Sequence, residues 1–176
     1  MATSMLPPTV ARIVTLALRV LTAIILFVSF IMLVTNSVET TDYRDSSKAK
    51  TSRFYDRTGF QYMAAVTVIG ILFSIYGAVA VALRIKRGDD EGNLLFDFYG
   101  QKVLSNLLVS AAVGGFLTVQ SMEKELFDFY RDESKYQGAR NYWSLYKTTS
   151  GLVLLAFFFS LVLSILSSHR LARRDD

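Results

Sequence analysis

The 176-residue chain is 52% hydrophobic with a mean hydropathy of +0.34, and it contains only two prolines, a composition that excludes a typical water-soluble domain. It has no cysteine, which excludes disulfides, thiolate nucleophiles, cysteine-ligated zinc and palmitoylation. The net charge of +4 is divided among segments separated by long apolar runs, so it is not the footprint of a nucleic-acid-binding face.

Four apolar runs dominate the chain, at residues 13–34, 60–83, 101–122 and 148–168. Each is long enough as a helix to cross about 30 Å of hydrocarbon. Backbone groups must be paired inside lipid, and the runs lack the alternation of barrel strands. The expected fold is an all-α integral membrane protein, a single four-transmembrane-helix bundle over residues 1–176. Outer loops are expected at about 35–59 and 123–147, with short tails.

The first run exceeds the apolar stretch of a signal peptide and no small-residue cleavage site follows it, so it is read as a retained helix. It contains a charge, Arg19, in TLALRVLTAIILFVSF. A guanidinium at the bilayer centre costs about 2.5–3.5 kcal/mol on insertion scales, so it requires a partner or an escape. Helical spacing puts Thr15, Arg19, Thr22, Leu26 and Ser29 on one stripe, while Leu18, Val20, Leu21, Ile24, Ile25 and Phe27 suit lipid.

The loop and second run add Phe54, Tyr55, Phe60 and Tyr62, aromatic residues of the kind that mark a membrane interface. The second run also carries Gly70, Ser74 and Ala78 at four-residue spacing, a seam that lets helix backbones approach closely. The third run presents a matching polar stripe of Asp97, Gln101, Ser105, Leu108, Ala112 and Gly115. Helices one and three run in the same direction in an alternating bundle, which puts Arg19 and Gln101 at similar depth. The expectation is a structural intramembrane contact in which the Arg19 guanidinium donates to the Gln101 carbonyl, with the Asp97 carboxylate as a further acceptor. The competing reading is snorkelling of Arg19 to headgroup phosphate.

Further small-residue seams are Ser110 with Gly114, Ala111 with Gly115, and Ser160 with Ser164 in the fourth run. They are read as packing seams within the bundle, with a dimer interface as the second reading. Tyr142, Trp143 and Tyr146 lead into the fourth run as interface anchors.

Orientation from charge is a conflict between number and position. The side of the termini holds Arg12, Arg84, Lys86, Arg87, Arg170, Arg173 and Arg174, whereas the two loops hold more cations, diluted by acids such as Glu39, Asp42, Glu123 and Glu125. RIKR and HRLARR lie flush against helix ends, where orientation is set most strongly, and this favours termini inside. The same clusters suit anionic membrane lipids.

No phosphate loop, metal-ligand cluster or nucleophile–base pair is present; the lone His169 sits beside Arg170 at a helix end. No catalytic, cofactor-binding or metal site is therefore assigned, and the chain is read as a non-enzyme without a cofactor. A small transporter or channel with a polar pathway at Arg19 stays open as an alternative.

The arginine within LRVLT, the length of the second run, and the opening FDFYGQKVLSNLLVSAAVGG of the third helix resemble the Casparian strip membrane protein family of plants, which is related to MARVEL-type tetraspan proteins. The similarity is greatest to CASP-like members of subfamily four. It implies a multi-pass plasma-membrane protein with both termini cytosolic, forming homodimers and heterodimers with related family members. It also implies a membrane-domain scaffold for local cell-wall modification; a MARVEL-type trafficking adaptor on internal membranes is a further alternative. The family's aspartate after Tyr-Gly is Gln101 here, so the resemblance implies a neutral hydrogen bond at that point unless Asp97 takes the acidic role. The first loop, ETTDYRDSSKAKTSRFYDRTG, lacks the aromatic-rich signature of strip-forming members.

Overall fold

A computed structural model describes residues 8–41, 49–53, 56–87, 94–127 and 133–172. Helix α1 spans Pro8–Thr35, α2 Thr58–Arg87, α3 Leu94–Phe127 and α4 Glu133–Ala172. Between α1 and α2 a two-stranded antiparallel hairpin pairs β1 (Ser37–Thr41) with β2 (Ala49–Arg53), in the register Ser37 opposite Arg53 and Thr41 opposite Ala49.

All four helices contain a segment long and apolar enough to cross a membrane, at residues 12–35, 58–86, 97–124 and 143–168. The helices outrun their apolar runs. Helix α4 begins at Glu133, so all of ESKYQGARNYWSLY, read from sequence as loop, is helical. Pro8 stands at the first position of α1, where its missing N–H breaks no helical bond. The first turn of α2 is tied by Phe60 and Gln61 amides donating to the Arg57 carbonyl, at 3.1 and 3.2 Å.

Helix α1 packs on α2 and α4, and α3 packs on the same two, most extensively on α4. The bundle is thus a four-membered ring of antiparallel neighbours, with α1 and α3 facing each other across its axis. The inward stripe of α1 is Thr15, Arg19, Thr22, Leu26, Ser29 and Leu33, all buried. That of α3 includes Asp97, Gln101, Ser105, Leu108, Ala112 and Val119, also buried.

The interior divides along the axis. The half nearer the β-hairpin is closed by Leu26, Leu33, Phe60, Met63, Leu108, Tyr146 and Val153, each 0% exposed. Phe60 and Tyr146 stack with ring centroids 4.1 Å apart and planes 8° apart, and the Tyr146 hydroxyl donates to the Asn36 carbonyl just beyond α1 at 3.2 Å. Buried hydroxyls are satisfied locally: Thr22 donates to the Leu18 carbonyl at 2.7 Å and Thr67 to that of Met63 at 2.6 Å. This is the arrangement that lipid demands of a helical hydroxyl. Ser29 instead reaches across to the Thr149 carbonyl at 3.3 Å, joining α1 to α4.

The small-residue seams divide between inside and outside. A Cβ on Gly70 would come within 2.7 Å of Leu26 Cδ1, and one on Gly115 within 2.5 Å of Ser150 Oγ and 2.8 Å of Met63 Sδ, so both glycines permit close helix approach. Ala111, Ser74 and Ser160 are buried, but Ala78 and Ser164 are only half-buried. On α2 the inward path turns from Ser74 through Gly77 to Val81, because 3.6 residues per turn brings 77 rather than 78 onto the buried face. Ser110 and Gly114 lie on the flank of α3 next to α2: the Ser110 hydroxyl is 2.7 Å from that of Tyr62, and a Cβ on Gly59 would come within 3.3 Å of the Gly114 carbonyl oxygen, although a Cβ on Gly114 itself would meet nothing within 4 Å.

Gly115→Val is expected to lower the thermal unfolding midpoint in detergent sharply, because the added carbons must displace both Ser150 and Met63. Gly114→Ala in the same assay is expected to leave it unchanged or slightly raised.

Candidate functional site

The other half of the axis, towards the end where α1 and α3 begin, is polar. Arg19 enters it from α1 at 3% exposure, Asp97 from the first turn of α3 at 6%, and Gln101 one turn further along at 3%. The Arg19 Nη2 atom lies 3.3 Å from Asp97 Oδ1, and Arg84 of α2 brings Nη1 to 3.5 Å from Asp97 Oδ2. One carboxylate therefore stands between two guanidiniums and ties three helices, including the diagonal pair α1 and α3.

The side chain of Arg19 is only 4% exposed and ends inside the bundle, so it is not extended to headgroups. Its guanidinium lies directly against the backbone of Gly77, where a Cβ would collide with Nη1 and Cζ. Glycine at 77 is thus a steric requirement of the charge at 19. Sequence reading missed both α2 contributors. Charge placement alone assigns Arg84 to the lipid headgroups, and four-residue spacing selects Ala78 in place of Gly77. The signal that finds them is the inward stripe Gly70, Ser74, Gly77, Val81 and Arg84, spaced by three or four residues.

The expected hydrogen bond between Arg19 and the Gln101 carbonyl is absent. Gln101 Nε2 donates to Ser160 Oγ of α4 at 3.1 Å, and Gln101 Oε1 has no partner among the described residues. The physical reason is choice of acceptor: a carboxylate at the same end binds a guanidinium more strongly than a neutral amide oxygen. Two Arg19 atoms, Nε and Nη1, also have no hydrogen-bond partner among the described residues, Nη1 being the one packed on Gly77. Asp97 thus provides the acidic partner, while Gln101 joins α3 to α4.

No group of three metal-ligating side chains occurs among the described residues. At the opposite end an exposed pair, Lys147 Nζ to Glu123 Oε1 at 2.7 Å, links α4 to α3; at that exposure it contributes at most about 1 kcal/mol.

The Casparian strip membrane protein domain matches residues 8–126, from the start of α1 to the end of α3. The chain belongs to the Casparian strip membrane protein family. It is 34% identical to CASP-like protein 4D1 of Ricinus communis, covering 96% of this chain and 97% of the relative. It is 32% identical to CASP-like protein 4D1 of Arabidopsis lyrata subsp. lyrata, over 93% and 90%. With CASP-like protein 4D2 of Arabidopsis thaliana the identity is 28%, over 96% and 95%. These relatives support a place in CASP-like subfamily four, and they are plant proteins. No solved structure matches the chain. Family membership and the four spanning helices together make it a multi-pass membrane protein.

Asp97→Asn leaves two buried or half-buried guanidiniums facing each other, and should destabilise the bundle by about 3–5 kcal/mol in denaturant titration. Arg19→Leu, which leaves Asp97 paired with Arg84, should cost less. Gly77→Ala should be destabilising in the native background and close to neutral when combined with Arg19→Ala, a coupling that a double-mutant cycle measures.

Proposed function

We propose that this protein is a non-enzymatic component of the plasma membrane that acts by lateral association with its own copies and with related family members. Its termini lie in the cytosol, and the associated state organises a membrane domain beside which the cell wall is modified. The observation that carries this reading is the buried ion-pair cluster: Arg19 is paired with Asp97 within the bundle and packed against Gly77, so its guanidinium is engaged in holding helices together. What remains available for interaction is the outer surface.

The transport reading would use Arg19 to attract an anion into a polar pathway. Against it, the axis beyond Gln101 is filled by side chains at 0% exposure, among them Leu26, Leu33, Leu108 and Met63, and the buried Ser29 and Thr67 hydroxyls between them donate to helix carbonyls. Cytosolic termini are supported by Arg84, Lys86 and Arg87 at the end of α2 and by the RLARR tail, cations adjacent to helix ends. The scaffold role rests on family membership, which supports it by analogy.

Fluorescence recovery after photobleaching of a tagged copy in plant epidermal cells tests the reading. Slowly recovering plasma-membrane patches are expected, and Arg19→Leu should reduce them by lowering the amount of folded protein. Rapid recovery of an evenly spread wild type, or anion flux in vesicles containing the purified protein, would overturn it.

A further inference from the structure

The outer faces of the central turns of α1, α2 and α4 carry exposed side chains such as Ile24, Phe27 and Ile31, Leu72 and Ile75, and Phe158 and Val162, as lipid contact requires. Helix α3 differs. Its exposed stripe runs Val103, Asn106, Ser110, Val113 and Leu117, alternating steps of three and four residues. This is the spacing of a coiled-coil seam with one amide in it.

Asn106 lies nine residues beyond Asp97, about 13 Å along the helix and therefore within the hydrocarbon. It is exposed, and among the described residues no hydrogen bond reaches its side-chain amide. Ser110 is already engaged, with its hydroxyl 2.9 Å from the Leu107 carbonyl and 2.7 Å from the Tyr62 hydroxyl of α2. An amide facing lipid without a partner is costly, and a partner helix removes the cost.

We propose that the Val103–Asn106–Ser110–Val113–Leu117 face of α3 is the site at which a second copy of this chain docks, helix α3 against helix α3, with Asn106 hydrogen-bonded to Asn106. The proposal rests on the lateral-association reading and names its interface. The amide chemistry selects the occupant. Asn carries both a donor and an acceptor, so it is complementary to itself about a two-fold axis. Two copies inserted in the same orientation bring their Asn106 side chains to the same depth.

Two flanking features fit. At Gly114, on the flank of the seam next to Gly59 of α2, nothing lies within 4 Å of a Cβ, so a side chain of the second copy has room there. Lys102, beside the seam, is folded back one turn so that Nζ lies 4.3 Å from the centroid of the Phe98 ring. Its charge is thereby directed towards the headgroups at the start of α3 and away from its counterpart in the second copy.

The natural absence of cysteine makes the test direct. Single-cysteine variants Val103→Cys and Val113→Cys, and Ile165→Cys on α4 as a control, are reconstituted in phosphatidylcholine vesicles and oxidised. The first two should form disulfide-linked dimers and the third should not. In parallel, energy transfer between labelled copies should show Asn106→Leu lowering the association constant about tenfold and Asn106→Gln keeping most of it, with thermal unfolding of the bundle unchanged. Association of the wild type with cross-linking at 165 rather than at 103 and 113, or with undiminished association of Asn106→Leu, would overturn this interface and leave lateral association standing. A wild type that stays monomeric at high protein-to-lipid ratio would overturn both.

Discussion

Asp97 between Arg19 and Arg84 is the constraint on which the arrangement of this bundle depends. Apolar packing alone tolerates sliding of one helix past another by a turn, since lipid is as apolar as the side chains it exchanges for. A buried carboxylate shared by two guanidiniums does not: displacement by one turn, about 5.4 Å, would strand three charges in a medium that cannot solvate them. The cluster therefore fixes the register of α1, α2 and α3 together. Its contribution is better described as specificity than as net stability, because desolvation offsets much of the attraction.

The remaining contacts follow from where that cluster sits. With the charges confined to one half of the axis, the other half can close with Leu26, Leu33, Met63, Leu108 and the Phe60–Tyr146 stack. Among its described residues, the fourth helix brings no charge to the axis. It is joined through neutral contacts, Gln101 to Ser160 near one end and Ser29 to the Thr149 carbonyl towards the other. Glycines appear where a bulky group meets a backbone: Gly77 under the Arg19 guanidinium and Gly115 under Ser150 and Met63.

Helix α3 is used on two faces. One face carries Asp97, Gln101, Leu108 and Gly115 into the bundle, and the opposite face carries Asn106 and Ser110 outwards. This division explains why its sequence looks the least hydrophobic of the four spans while still crossing the membrane.

The sequence by itself determined the class of the fold, because four apolar runs of about twenty residues in lipid have only the helix open to them. It also determined which face of α1 carries Arg19, since a 3.6-residue period separates Thr15, Thr22 and Ser29 from the leucines and valines without reference to any neighbour. Family membership was legible in the third helix opening. Only the tertiary structure decided which acceptor Arg19 meets. Asp97 and Gln101 share one stripe, so a period cannot choose between them; side-chain reach and the approach of α2 at Gly77 do. Likewise Ser110–Gly114 and Ala111–Gly115 are equivalent as spacings one residue apart. Their assignment, the first pair to the flank beside α2 and the second to the interior, depends on the rotation of α3 against its neighbours, a property of the packed bundle and not of the helix alone.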